Sequence, residues 1–221
     1  MNSKSKIILG IESAIRGGSI SLLRDEREAA FHVGAGGVSR SEDLLSNVAK
    51  LLSEQNIGVG EIGRIAVSTG PGSFTGLRIG IATALGLARS IGAELVGVSL
   101  LQAMDDIASE PGLRVIAVPV GRTDIVWQIV RVSSGREPAV ATSWDQFISM
   151  IASEGIRAVC AHRDVINQLK KTFGGVDQLS LLDLGECLAT CIAKRHTAGS
   201  TELIPIYLSN SAVSKGAGQP I

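Results

Sequence analysis

The 221-residue chain is poor in aromatic residues: four Phe, two Trp and one Tyr make up 3% of it. A core with so few rings must rest on Ile, Leu, Val and Ala, and the 45% hydrophobic content supplies one large or two small cores. Cysteine is scarce too. Cys160, Cys187 and Cys191 form no disulfide framework of the secreted kind. Neither sign of charge is in excess, since 21 Lys and Arg balance 21 Asp and Glu. Independent tRNA binding is therefore not expected, because neutralising phosphates takes a basic face. No apolar run approaches the ~20 residues needed to cross a bilayer, so no membrane contact is expected. Residues 1–6 are polar and lead straight into a strand-like run, without the apolar segment of a secretory signal. A reducing cytoplasm is the expected compartment.

What is present is a regular alternation of elements, punctuated by 26 glycines. Period-two patterning predicts strands over 6–15, 19–24 and 27–33, with turns at Arg16-Gly17-Gly18 and Asp25-Glu26. A helix is predicted over 41–56, with Ser41 as cap and Glu42 and Asp43 in its first turn. Its Leu44, Leu45, Val48, Leu51 and Leu52 recur at helical spacing. A strand over 62–68, a tight loop over 70–75 and a helix over 76–90 follow. That helix is apolar nearly all round, at Leu77, Ile79, Ile81, Ala82, Leu85, Leu87 and Ala88, which predicts burial on several sides. A strand over 94–98 and a helix over 101–108 close the first half.

Two hairpins followed by right-handed crossovers make a mixed five-stranded sheet. This order resembles the actin-like (ribonuclease H-like) domain. The second half is a weaker echo, with strands over 114–120, 125–132, 138–142 and 156–161 and helices over 144–153, 164–173 and 184–195. The expected fold is α/β, with two actin-like domains over 1–108 and 109–221. Each is a mixed five-stranded sheet flanked by helices; the second is reduced, and its last segment is free to pack back on the first.

The most specific string is Gly70-Pro71-Gly72-Ser73-Phe74-Thr75-Gly76-Leu77-Arg78-Ile79-Gly80. It reads as a strand end, a glycine-rich turn and a helix start, a geometry able to hold an anion. The spacing is neither G-x-G-x-x-G nor a Walker loop, and glycines that permit close packing explain it more simply. From Val67 through Gly80, and on through 81–87 and Leu95-Val96-Gly97-Val98-Ser99, the run closely resembles the TsaB (YeaZ-like) family. Pro205-Ile206-Tyr207-Leu208 is similar to that family's closing Pro-x-Tyr-Leu element. The family usually has Asp-Thr where this chain has Glu12-Ser13, and Asp-Ala-Arg where it has Pro119-Val120-Gly121-Arg122. The resemblance implies a non-catalytic scaffold that activates a TsaD-type catalytic subunit, alongside a TsaE-type ATPase, in making threonylcarbamoyladenosine on tRNAs reading codons that begin with A. It further implies docking through the first two helices, 41–56 and 76–90, and a homodimer through the same faces when alone.

No catalytic, cofactor or metal site is expected. His32, His162 and His196 lie too far apart to copy a paired-histidine metal motif. Cys187 and Cys191 share a helical face with His196 nearby, yet four-ligand zinc lacks a second cluster, and a small-residue core explains them better. Glu12 with Gly17-Gly18 imitates half of a nucleotide site; the 118–124 hairpin and Gly174-Gly175 do not convincingly complete it. Ser73 and Thr75 sit in no nucleophile elbow and are expected to cap the following helix. Arg78 is expected either to bind a carboxylate or phosphate or to form a surface ion pair.

The candidate partner surface comprises Leu44, Leu45, Val48, Leu51 and Leu52 on the first helix and Leu77, Ile81 and Leu85 on the second. The first helix carries more leucines than one sheet contact needs, so either a partner or the chain's own second domain or a loop must cover the rest. Two rival readings stand beside the scaffold: an actin-like ATPase or carbamoyl-group transferase, and a homodimeric binding protein of the same fold outside this pathway.

Overall fold

The computed structural model describes residues 7–15, 17–34, 40–108, 112–121, 123–131, 135–173 and 179–208, with backbone alone for 40–42. The expected features at Arg122 and Gly174-Gly175, and the capping side chain of Ser41, lie outside the described residues.

The first sheet contains β1 (Ile7–Glu12), β2 (Ser19–Arg24), β3 (Arg27–Val33), β4 (Ile62–Gly70) and β5 (Glu94–Ser99), in the order β3-β2-β1-β4-β5. β1, β2 and β3 are antiparallel neighbours, while β4 and β5 continue parallel to β1. The β2–β3 hairpin turns on Asp25 and Glu26, both left-handed at φ 51° and 65°, as a two-residue turn of matching twist requires. β1 is buried on both faces, and its period-two pattern sorts its partners. Ile7, Leu9 and Ile11 face the cluster made with α1 (Arg40–Glu54) and α2 (Phe74–Ile91). Ile8 meets Ala193 on the opposite face.

That opposite face is covered by α3 (Leu100–Ala108) and by α6 (Ala189–Lys194), which returns from the far end of the chain. Gly10 makes the return possible. A Cβ there would lie 2.4 Å from the Ala189 carbonyl oxygen and 2.8 Å from Ala193 Cβ.

The second sheet holds β6 (Arg114–Val120), β7 (Asp124–Arg131), β8 (Gly135–Arg136), β10 (Ala158–Ala161) and β11 (Ser180–Asp183) in the order β11-β10-β6-β7-β8. β9 (Val140–Ser143) also pairs with β7, while α4 (Trp144–Ser153) and α5 (Arg163–Phe173) cover one face around Phe147, Ile151, Val165 and Leu169. The sheet thus has six strands where five were expected. The expected 138–142 strand becomes β9 beside a two-residue β8, and β11 was not anticipated. The last helix is shorter than the predicted 184–195, because Gly185 turns the chain at φ +76° and donates its N–H to Asp183 Oδ1.

The two sheets meet across α3. Buried Asp105 bridges Arg114 and Arg136, and Asp106 pairs with Arg136 and Arg195, tying α3 to β6, β8 and the end of α6. Removing one partner of such a buried pair strands the other charge, so these contacts hold the relative placement of the elements firmly.

Candidate docking site

β4 ends at Gly70, whose φ of +99° and cis bond to Pro71 turn the chain sharply. Its Cβ would also lie 2.8 Å from the Ile206 carbonyl oxygen. Ser73 caps α2 by accepting from the Gly76 N–H at 3.3 Å, while its own N–H donates to the Ala14 carbonyl at 2.9 Å. The helix therefore starts at Phe74, earlier than the predicted Gly76, and Thr75 is a helical residue rather than a cap.

The glycines seat this helix on the turn between β1 and β2. A Cβ on Gly72 would lie 2.4 Å from Ala14 Cβ, and one on Gly76 would lie 2.2 Å from the Ser13 carbonyl oxygen. Ser13 Oγ donates to the Gly76 carbonyl at 2.7 Å and would lie 2.1 Å from a Cβ on Gly80. Close packing accounts for the glycines of the signature loop. Beneath it, the buried Glu12 carboxylate accepts from the Ala14 and Ile15 N–H groups at 2.6 and 3.0 Å. Those amides point at the chain's own acid. They are therefore not offered to an outside phosphate.

Residues 204–208 lie against the same loop. The Ile206 N–H donates to the Thr69 carbonyl at 2.7 Å, and the Tyr207 ring packs on Phe74 at 4.8 Å between ring centroids, tilted by 44°. Arg78 places its guanidinium 3.8 Å from the Phe74 centroid on the way to solvent. The two segments that carried the sequence resemblance are neighbours in space. The aromatic contact between them could not be read from positions more than a hundred residues apart.

The eight expected interface residues divide. Leu44, Val48, Leu51 and Leu52 are buried in this chain's own core, in one cluster with residues of β1, β2 and β4 of the first sheet rather than the second half, and Leu77 is buried beside Gly70. They are not surface. Two helices side by side cover the whole face of a five-stranded sheet, so the extra leucines are consumed there. Leu45 stays outside at 56% exposure, and Ile81 and Leu85 are half-buried. On α2 the outward side runs through Arg78, Ala82, Gly86 and Arg89, and among the described residues nothing lies within 4 Å of a Cβ built on Gly86.

Elsewhere, a cavity of about 460 Å³ opens between β3, α6 and residues 182–187, lined among others by Phe31, Leu182, Cys187 and Cys191. Burial, and then neighbouring Cys187, push the Cys191 thiol up to about 12, and burial raises Cys187 as well. Both stay protonated at neutral pH. Buried His196 turns away from them, its Nδ1 2.9 Å from the Ala193 carbonyl and its Nε2 3.4 Å from Glu26. Burial pushes His162 below the usual histidine range, and its neutral ring accepts from the Asp164 N–H at 3.2 Å.

Comparison with known proteins agrees with this architecture. Residues 27–181, from the start of β3 into β11, match the model of the family described as TsaD, tRNA N6-adenosine threonylcarbamoyltransferase. The chain is 26% identical over 205 residues to the tRNA threonylcarbamoyladenosine biosynthesis protein TsaB of Haemophilus influenzae, a match covering 80% of this chain and 83% of that one. It is 38% identical over 99 residues to the TsaB of Escherichia coli, covering 44% of this chain and 42% of that one. In three dimensions it is similar to a Pseudomonas aeruginosa protein described as similar to peptidase YEAZ, with TM-score 0.64, 19% identity and coverage of 92% and 100%. The arrangement of two mixed sheets, the seated signature loop and a family match running through both sheets lead to one assignment: the chain belongs to the TsaD family and is a TsaB/YeaZ-like member of it.

Proposed function

We propose that this chain takes part in the biosynthesis of threonylcarbamoyladenosine on tRNA, as a non-catalytic cytoplasmic scaffold that docks on a TsaD-type subunit and pairs with itself when alone. The observation that carries the docking half is the outward side of α1 and α2. Leu45 is exposed there, and Gly86 stands mid-helix with open space around it. A glycine in a helix interior costs roughly 0.5–1 kcal/mol against alanine, and packing among the described residues gives it no return. A second helix approaching closely would. Apolar area covered by such a partner contributes roughly 25 cal/mol per Å² before association costs are subtracted.

The non-catalytic half is supported by Glu12, which fills the amides that an actin-like nucleotide site would present to phosphate. A TsaE-type ATPase belongs to the same reading as a further partner, through the family resemblance alone.

Co-purification with the TsaD-type protein of the same organism tests the docking, with light scattering for the homodimer. Leu45→Glu is expected to abolish both associations while the monomer stays folded; unchanged mass and unchanged capture would sink the docking surface. Calorimetric titration with magnesium-ATP tests the other half, since tight stoichiometric binding by the chain alone would favour the ATPase reading.

A further inference from the structure

Tyr207 is the chain's single tyrosine and Phe74 one of its four phenylalanines, and both are spent at the surface. They are 44% and 49% exposed and stack on each other. Arg78, four residues along α2 from Phe74, lies on the Phe74 ring and forms no ion pair among the described residues. The first turn of α2 contains no acidic side chain to neutralise it. A guanidinium resting over an aromatic ring loses little of its hydrogen-bonding capacity there, and its planar fork of N–H donors suits a carboxylate. Arginine and tyrosine beside small apolar residues are also what the energetic centres of protein interfaces are made of.

We propose that Phe74, Arg78 and Tyr207 form the charged end of the docking face, where Arg78 receives a carboxylate of the protein partner and the two rings pack on the apolar residues around it. This rests on the docking reading above and locates its specificity contact. The occupant is a protein rather than RNA. One cation meets one carboxylate, whereas holding a phosphate backbone takes several, and the chain's net charge is zero. The cluster is continuous with the outward side of α2, one turn before Ala82. It also gives residues 204–208 a role: they deliver Tyr207 to the signature loop.

The experiment measures affinity of the full chain for the TsaD-type subunit, using wild type, Arg78→Glu, Arg78→Lys and Tyr207→Ala, each checked by thermal melting. All three changes are at exposed positions, so folding should survive. Arg78→Glu is expected to weaken binding about a hundredfold, Arg78→Lys about tenfold because the planar fork is lost, and Tyr207→Ala about tenfold. Added salt should weaken wild type more than Arg78→Glu. If Leu45→Glu abolishes binding but the Arg78 variants bind like wild type, this cluster is no part of the interface and the docking reading stands. If wild type itself does not bind, both fail together. Arg78-dependent binding of a tRNA anticodon stem-loop by the chain alone would overturn the assignment to a protein.

Discussion

The inward and outward sides of α1 and α2 are made of similar residues for different reasons. Inward, α2 presents Gly76, Gly80, Ala84 and Ala88 at four-residue spacing, and α1 presents Leu44, Val48, Leu51 and Leu52. Each small residue in the first half of that row has a counterpart within this chain, the Ser13 carbonyl beneath Gly76 and the Ser13 hydroxyl beneath Gly80. Outward, α2 repeats the spacing with Arg78, Ala82 and Gly86, yet a Cβ on Gly86 would meet nothing among the described residues. Smallness on one side is explained by the fold. On the other side it has no counterpart among the described residues, and the proposed docking would supply one.

The contrast is tested most severely by Leu52→Glu against Leu45→Glu. Burying an unpartnered carboxylate among Leu9, Ile20 and Ile65 is expected to cost ~4 kcal/mol or more, enough to unfold the chain in a urea titration. The same change at exposed Leu45 should leave the midpoint within about 0.5 kcal/mol of wild type.

Gly76→Ala comes next. Its methyl would run into main chain that cannot rotate away, so a loss of about 3 kcal/mol is expected in chemical denaturation. Ser73→Ala removes the cap of α2 and should cost about 1 kcal/mol, read as a lower melting temperature with unchanged secondary structure by circular dichroism.

Gly86→Ala gives the smallest and most telling effect. The monomer should gain roughly 0.5–1 kcal/mol, since alanine fits the open position and helps the helix. Capture of the TsaD-type subunit should weaken in the same variant. A more stable monomer that docks as well as wild type would erase the difference between the two sides.

Most of the first sheet was legible. Strands with period-two patterning, a two-residue turn at Asp25-Glu26 and two apolar helices leave few ways to assemble, and the expected mixed five-stranded sheet is found, with the strands in the order β3-β2-β1-β4-β5. The second sheet was less so. Ser180–Asp183 is four residues long and half-exposed, too short for periodicity to mark, and it becomes β11 only because Cys160 and its neighbours offer a parallel edge. The candidate surface was overdrawn for a related reason. Helical spacing identifies which residues share a side, not how much of a sheet that side covers, and five of the eight expected interface residues went into the core. Phe74 and Tyr207 escaped notice as a pair because they are remote from each other in sequence.

By itself the sequence determined the local elements, their order and the family, because these depend on periodicity, capping and a contiguous motif. Only the tertiary structure decided which apolar residues remain outside, that Glu12 closes its own turn, and that α6 crosses back over Gly10 to bind the first sheet. Each of those depends on distances between segments remote in sequence, and exclusion of one atom by another acts across that space, not along the chain.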